Sequence, residues 1–192
     1  MGMPAEKTRR WTAREVRDLI AAQPLHTPRY ELVDGELMVT PSPAPPHQIA
    51  SRLLVVALAM YLEREPVADV LYSPSDVELE PEDLRQPDVF VVSRAELERV
   101  VRDGNPVREL LLAIEVLSPS SGRHDRVKKR RGYQRHVPEY WIVDLESRLV
   151  ERWRPGDDRP EILTESIMWR APAAIDTLTI PLPAFFARAF AE

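Results

Sequence analysis

Apolar and polar positions recur along this chain at two periods, and the switches between them predict where helices give way to strands. Thr12 and Glu15 form a capping box, which predicts a short helix running to about Ala22. Residues 30–40 alternate apolar and polar positions on both sides of Asp34-Gly35, a dipeptide that tolerates positive φ and so predicts a tight hairpin turn. The prolines at 41–46 end that alternation, and Ile49, Leu53, Val56 and Met60 then return at helical spacing up to about Arg64. This helix is apolar on most sides and is expected to be buried. Short runs rich in Val, Leu and Ile at 67–72, 76–79, 88–92 and 110–117 predict strands, with a short helix near 94–101. Residues 123–136 read as a polar, basic helix, and 140–144 with 149–153 as a second hairpin turning near Glu146-Ser147. The remainder is punctuated by proline, with a last strand at 177–180 and a short helix from about Pro183. With no internal repeat, low-complexity tract or linker, this order predicts one mixed α/β domain over residues 1–192, the first ten forming a loose arm.

Composition narrows the function classes. The 192 residues are 44% hydrophobic and 30% charged, the balance of a globular protein and not of a disordered chain. Without cysteine there is no disulfide framework, thiolate nucleophile or cysteine-bound metal, and a reducing cytoplasm is the expected location. A net charge of −5 argues against coating nucleic acid through overall charge, so any such contact must use a local patch. The longest apolar run, residues 53–62, is shorter than the roughly 18 residues of a spanning helix. No signal-peptide pattern opens the chain, and Glu6 stands where a myristoylation signal needs Ser or Thr, so no membrane association or export is expected. The glycines form no phosphate-cradling loop, the serines no Gly-x-Ser-x-Gly elbow and the histidines no His-Glu-x-x-His pair. ATPase, Rossmann oxidoreductase, serine hydrolase and zinc protease chemistry therefore lack their motifs.

Three segments carry candidate chemistry. Glu115 is the one ionisable residue in the strand-like run from Leu110 to Pro119, and a carboxylate in apolar surroundings needs a cationic partner, a metal or an exit to solvent. Asp88 opens another apolar run after Gln86-Pro87. Each has a bland reading, as an ion-pair or loop-capping carboxylate and as a turn residue; at one sheet end together, their hard oxygen atoms suit Mg²⁺. In the basic helix, Arg123, Arg126, Lys128, Lys129, Arg130, Arg131 and Arg135 accompany one acid, Asp125. Asp125, Lys129 and Tyr133 are spaced by four and share a helix face, leaving the other cations to meet phosphates or to form a solvated surface.

In this order these segments resemble the Uma2 or DUF820 family, a branch of the PD-(D/E)XK nuclease superfamily. The resemblance spans nearly the whole chain. It is carried by Tyr30-Glu-Leu-Val-Asp-Gly-Glu-Leu37, Pro46-His47, Gln86-Pro-Asp88, Ile114-Glu-Val-Leu-Ser-Pro119, Asp125-Arg-Val-Lys-Lys129 with Tyr133, and Glu139-Tyr-Trp-Ile-Val-Asp144. It implies a restriction endonuclease-like core, a mixed β-sheet flanked by helices with an N-terminal β-hairpin. It also implies an endonuclease in which Asp88 and Glu115 hold Mg²⁺ or Mn²⁺ and a lysine orients or activates water. The lysine usually two residues beyond the second acid is replaced by Leu117. This branch carries its lysine on the next helix, where Lys129 stands, with Lys128 as the alternative. Glu31 is either a further carboxylate of the site or a structural part of the hairpin, and His47 either lines the site or is structural. Asp125 and Tyr133 are further candidates to line it. The implied partner is nucleic acid, DNA in the first instance, held by Arg123, Arg126, Lys128, Arg130 and Arg131. A catalytically silent nuclease-fold scaffold or an RNA-directed nuclease are the alternatives. The apolar helix over 47–64 leaves two ways to cover its surface, a homodimer or the chain's own terminal segments.

Overall fold

The computed structural model describes residues 9–23, 28–40, 44–81, 83–104, 106–117 and 123–192, the side chains of Thr40 and of residues 123–128 excepted. Helix α1 (Ala13–Ala21) begins with the predicted capping box: Thr12 Oγ1 accepts the Glu15 N–H, and Glu15 returns a carboxylate oxygen to the Thr12 N–H at 2.9 Å. Strands β1 (Arg29–Val33) and β2 (Glu36–Thr40) form a separate antiparallel hairpin. Its turn takes positive φ at Asp34 (52°) and Gly35 (78°), the conformation that the Asp-Gly pair permits. The hairpin docks through Leu32, which exchanges backbone hydrogen bonds of 2.7 and 3.0 Å with Leu84, and α1 covers it through a small core of Ala13, Val16, Leu32 and Leu84.

The main sheet has six strands in the order β3 (Ala68–Tyr72), β4 (Val89–Ser93), β5 (Leu112–Leu117), β6 (Tyr140–Asp144), β7 (Leu149–Trp153), β8 (Glu161–Leu163). Neighbours run antiparallel except β5 and β6, which are parallel and need a crossover; helix α4 (Arg123–His136) supplies it. Helix α3 (Arg94–Asp103) lies between β4 and β5, and β9 (Ser166–Trp169) pairs with β10 (Leu178–Pro181) in a two-stranded sheet before α5 (Leu182–Ala189).

Side chains alternate across the sheet, so its two faces build two cores. Val89, Val91, Leu112, Ile114, Val116, Trp141 and Val143 point toward α2 (Pro45–Arg64) and α5. Phe90, Val92, Ala113, Tyr140 and Ile142 point the other way, toward Tyr133 and Val137 of α4. Because Ile114 and Val116 belong to the first face, the period of two assigns Glu115 to the second, beneath α4. Phe185, Phe186 and Ala189 of α5 are buried in the same core as Leu54, Leu58 and Leu62 of α2. The terminal helix thus covers much of the apolar surface of α2 and leaves Val56 and Met60 exposed.

Three local features differ from the sequence-based expectation. Residues 76–79 make isolated pairings and no strand: Val77 exchanges two 2.9 Å hydrogen bonds with Arg85, and the Glu78 N–H turns to the Val107 carbonyl instead. Pro74 and Pro81 flank this segment and offer no donors with which to extend a ladder. Strands β8 and β9 were not predicted; at three and four residues they are too short for an alternation to register.

Candidate active site

The β4–β5 register pairs Val89 with Ile114, which puts Asp88, one residue before β4, across from Glu115 on the α4 face. Asp88 Oδ2 accepts the Val116 N–H at 2.8 Å and a hydrogen bond from His47 Nε2 at 3.1 Å. Oδ1 accepts Arg29 Nη1 at 2.8 Å. Burial alone would raise the Asp88 pKa, but the His47 hydrogen bond, the Arg29 guanidinium and the Val116 N–H outweigh it and hold this carboxyl far below the usual range. His47 stands in the first turn of α2, so it lines the site from the helix N-terminal end.

Glu115 has less support. Tyr133 donates its hydroxyl to Oε1 at 3.0 Å and Lys129 Nζ lies 3.5 Å from the same oxygen. Burial pushes Glu115 up; Lys129 and Arg29 oppose, while Asp88 and Glu31 add to the rise, and the balance is a pKa of about 7. Lys129 Nζ is also 2.5 Å from Glu31 Oε2. Desolvation would lower the Lys129 pKa, but the carboxylates of Glu115 and Glu31 overcome it and raise the pKa above its ordinary value, so Nζ keeps its proton. Glu31 is both a hairpin residue and a site residue: fully buried in β1, it faces Lys129 through one oxygen and accepts the Gln86 N–H at 2.9 Å through the other.

One turn of α4 separates Lys129 from Tyr133, which is why both reach Glu115. The side chains of Arg123, Asp125, Arg126 and Lys128 lie outside the described residues. Of the remaining expected phosphate contacts, Arg131 is exposed, while the Arg130 guanidinium lies 4.3 Å over the ring of Trp153.

Two arginines that sequence reasoning passed over complete the site. Arg29 holds Asp88, as above. Arg85, 1% exposed, donates Nε to Asp83 at 2.7 and 2.9 Å and Nη1 to the backbone carbonyl of Lys129 at 2.7 Å, and its guanidinium lies 4.8 Å from the Tyr133 ring. The available clue was Gly132, a poor helix former inside a helix. A Cβ there would stand 2.0 Å from Arg85 Nη2, so the glycine is what admits the arginine.

Three buried carboxylates, Glu31, Asp88 and Glu115, thus face two fixed cations, Arg29 and Lys129, and, His47 left out of the count, one negative charge remains uncompensated when all three are ionised. Among the described residues no group of three or more His, Asp or Glu side chains is arranged to hold a metal ion. Mg²⁺ does not require one, since it takes one or two carboxylates and completes its octahedron with water and substrate phosphate. The hard oxygen atoms of Asp88 and Glu115 and the surplus negative charge fit such an ion.

Comparison with known proteins identifies the family and the fold. The model of the Uma2 family, described as "Putative restriction endonuclease", matches residues 17–182. The chain belongs to the Uma2 family. The matched span includes Glu31, Asp88, Glu115 and Lys129. A crystal structure described as a "putative nuclease belonging to DUF820" from Anabaena variabilis ATCC 29413 superimposes with a TM-score of 0.73. The likeness covers 90% of this Uma2 chain and 97% of that one at 18% identity, and it shows a shared fold. No curated protein matches the sequence. Among the described residues of this Uma2 protein, no helix is long and apolar enough to cross a membrane.

Proposed function

We propose that this Uma2 protein is a Mg²⁺- or Mn²⁺-dependent endonuclease that hydrolyses DNA phosphodiester bonds, with Asp88 and Glu115 as metal ligands and Lys129 as the assisting cation. The observation that carries this reading is the meeting of carboxylates from two adjacent strands with an ammonium group from α4 in one buried cluster. When bound, a divalent ion supplies Lewis acidity toward a phosphoryl oxygen and lowers the pKa of water.

The chain's own groups do the rest. His47 and the Val116 N–H fix Asp88 Oδ2, and Tyr133 fixes Glu115 Oε1, so both ligands are oriented before substrate arrives. Lys129 Nζ, held between Glu31 and Glu115, is placed to donate hydrogen bonds to developing negative charge and to orient water. Arg131, exposed on α4, adds long-range attraction for a polyanion in an otherwise acidic protein.

The test is cleavage of supercoiled plasmid in Mg²⁺, in Mn²⁺ and in EDTA, beside an RNA of matched length. Wild type is expected to cut DNA only with metal, and Asp88→Asn, Glu115→Gln and Lys129→Met each to lose about a hundredfold or more. Unchanged cleavage by the variants would discard the assignment. An inactive wild type would favour a nuclease-fold scaffold, and faster cutting of RNA would move the substrate class.

A further inference from the structure

The lone-pair capacity that Asp88 has left for a cation lies on Oδ1, and Arg29 shares that oxygen. A carboxylate oxygen has two lone pairs. Those of Oδ2 are both engaged, by the Val116 N–H at 2.8 Å and His47 Nε2 at 3.1 Å; on Oδ1 Arg29 Nη1 takes one at 2.8 Å, so a cation binding the other would stand against the guanidinium on the same oxygen.

The Arg29 guanidinium is itself unevenly used. Nη1 faces three acceptors, Asp88 Oδ1, Ser73 Oγ at 3.0 Å and the Gln86 carbonyl at 3.3 Å, more than its two hydrogens can serve. Nε is buried with no hydrogen-bond partner among the described residues. A buried donor without a partner is costly, and an arginine edge is shaped for the paired oxygens of a phosphate. The side chain is 12% exposed, so it sits at the boundary between the buried carboxylates and solvent.

Charge gives the same result. With Glu31, Asp88 and Glu115 all ionised, and leaving His47 out of the count, three negative charges face two positive ones on Arg29 and Lys129. A divalent cation alone would overshoot to one positive, a phosphodiester alone would deepen the deficit to two negative, and the two together bring the cluster to neutrality. Each should therefore favour the other's binding.

We infer that Arg29 is a displaceable counter-ion: it neutralises Asp88 in the metal-free protein, yields Oδ1 to the divalent cation, and turns its guanidinium to the phosphodiester that binds with it. This rests on the metal-dependent reading above and adds to it a reason why metal and substrate load together. Lys129 is not equivalent, because Glu31 retains it whether or not Asp88 is occupied.

The experiment is titration of the metal-free 192-residue chain with Mn²⁺, followed by the electron paramagnetic resonance signal of the free ion, with and without dimethyl phosphate as a non-nucleic phosphodiester probe. Wild type is expected to bind Mn²⁺ weakly and to tighten when dimethyl phosphate is present. Arg29→Met is expected to bind Mn²⁺ roughly tenfold tighter without the probe, and to lose the tightening the probe causes. Arg29→Lys keeps the competing charge but not the fork, so its Mn²⁺ affinity alone stays at the wild-type level while the probe's effect falls; it serves equally if Arg29→Met does not fold. If binding is abolished by Asp88→Asn in wild type yet Arg29→Met gains no affinity, or if Arg29→Lys keeps the full effect of the probe, this inference is overturned and the metal site stands. Absence of any Asp88-dependent Mn²⁺ binding overturns both.

Discussion

The backbone carbonyl of Lys129 accepts a 2.7 Å hydrogen bond from Nη1 of Arg85, so the turn of α4 that carries the site's ammonium group is fastened by a residue hydrogen-bonded to neither Asp88 nor Glu115. Asp83 fixes Arg85 through Nε, and the guanidinium lies against the ring of Tyr133, the other α4 residue that reaches Glu115. One buried ion pair thereby sets the height of two site side chains. Removing either partner would strand the other charge at a cost of several kcal/mol, of order 3–5, which makes Gly132 the better lever.

Gly132→Ala would normally stabilise a helix by about 0.5–1 kcal/mol. Here its Cβ would stand 2.0 Å from Arg85 Nη2, and Asp83 and Tyr133 leave the guanidinium little freedom to retreat. The expected result is a net loss of roughly 1–3 kcal/mol by denaturant unfolding, together with reduced plasmid cleavage as Lys129 and Tyr133 shift. Gly104→Ala is the control: at φ +64° with nothing within 4 Å of the added Cβ, it costs about 1–2 kcal/mol in backbone strain and leaves cleavage unchanged. A Gly132→Ala protein as stable as wild type would contradict the fastening role.

Glu115→Gln should raise stability while it abolishes cleavage. In the metal-free protein it leaves two buried acids facing two buried cations, Asp88 with Arg29 and Glu31 with Lys129, and removes the carboxylate with the least compensation. Relieving a poorly paired buried charge is worth about 1–4 kcal/mol. Thermal unfolding in EDTA at pH 8 is expected to show a higher Tm for the variant, the pattern of a site kept for activity at the expense of stability. A lower Tm would mean that Glu115 is a structural partner of Lys129.

Acid should loosen the segment leading into β5 through Glu96. Arg99 donates to it at 2.7 and 2.8 Å, and the Arg108 and Glu109 N–H groups donate at 2.7 and 3.3 Å. The Arg99 hydrogen bonds hold this carboxyl below its ordinary pKa, with the backbone donors adding to them against a smaller desolvation effect. A depressed folded pKa stabilises above the unfolded value and loses that contribution as pH falls through the folded one. Glu96→Gln is therefore expected to be less stable than wild type by about 1–3 kcal/mol at pH 7, with the two unfolding curves converging as the pH drops below about 4.5. A difference that stays constant with pH would assign the role to shape and not to charge.

Much of the site is legible where a local pattern carries it. Glu115 stands out because a central strand leaves it no ionisable neighbours, and the spacing of Lys129 and Tyr133 puts both on one face of α4. The Asp34-Gly35 turn is a two-residue signal and needs no tertiary context. The family resemblance supplied the rest of the joint reading, and the match over residues 17–182 bears out the family. Arg29 and Arg85 leave no such trace. Their partners, Asp88 and Lys129, lie 59 and 44 residues away, and contacts across that separation impose no period on the sequence. Glu31 has two roles for the same reason: its alternation belongs to the hairpin, whereas its partner Lys129 arrives only once α4 folds over the sheet. The segment 76–79 has strand composition, but its one paired residue, Val77, is shared between Arg85 and Val107.

The most direct test of the central claim is a crystal of the protein soaked in Mn²⁺ and measured near the manganese absorption edge. The expected result is one anomalous peak within bonding distance of both Asp88 Oδ1 and a Glu115 carboxylate oxygen, with Arg29 moved off Asp88. A peak elsewhere, or none beside these two carboxylates while the soaked protein cleaves plasmid, would contradict the account.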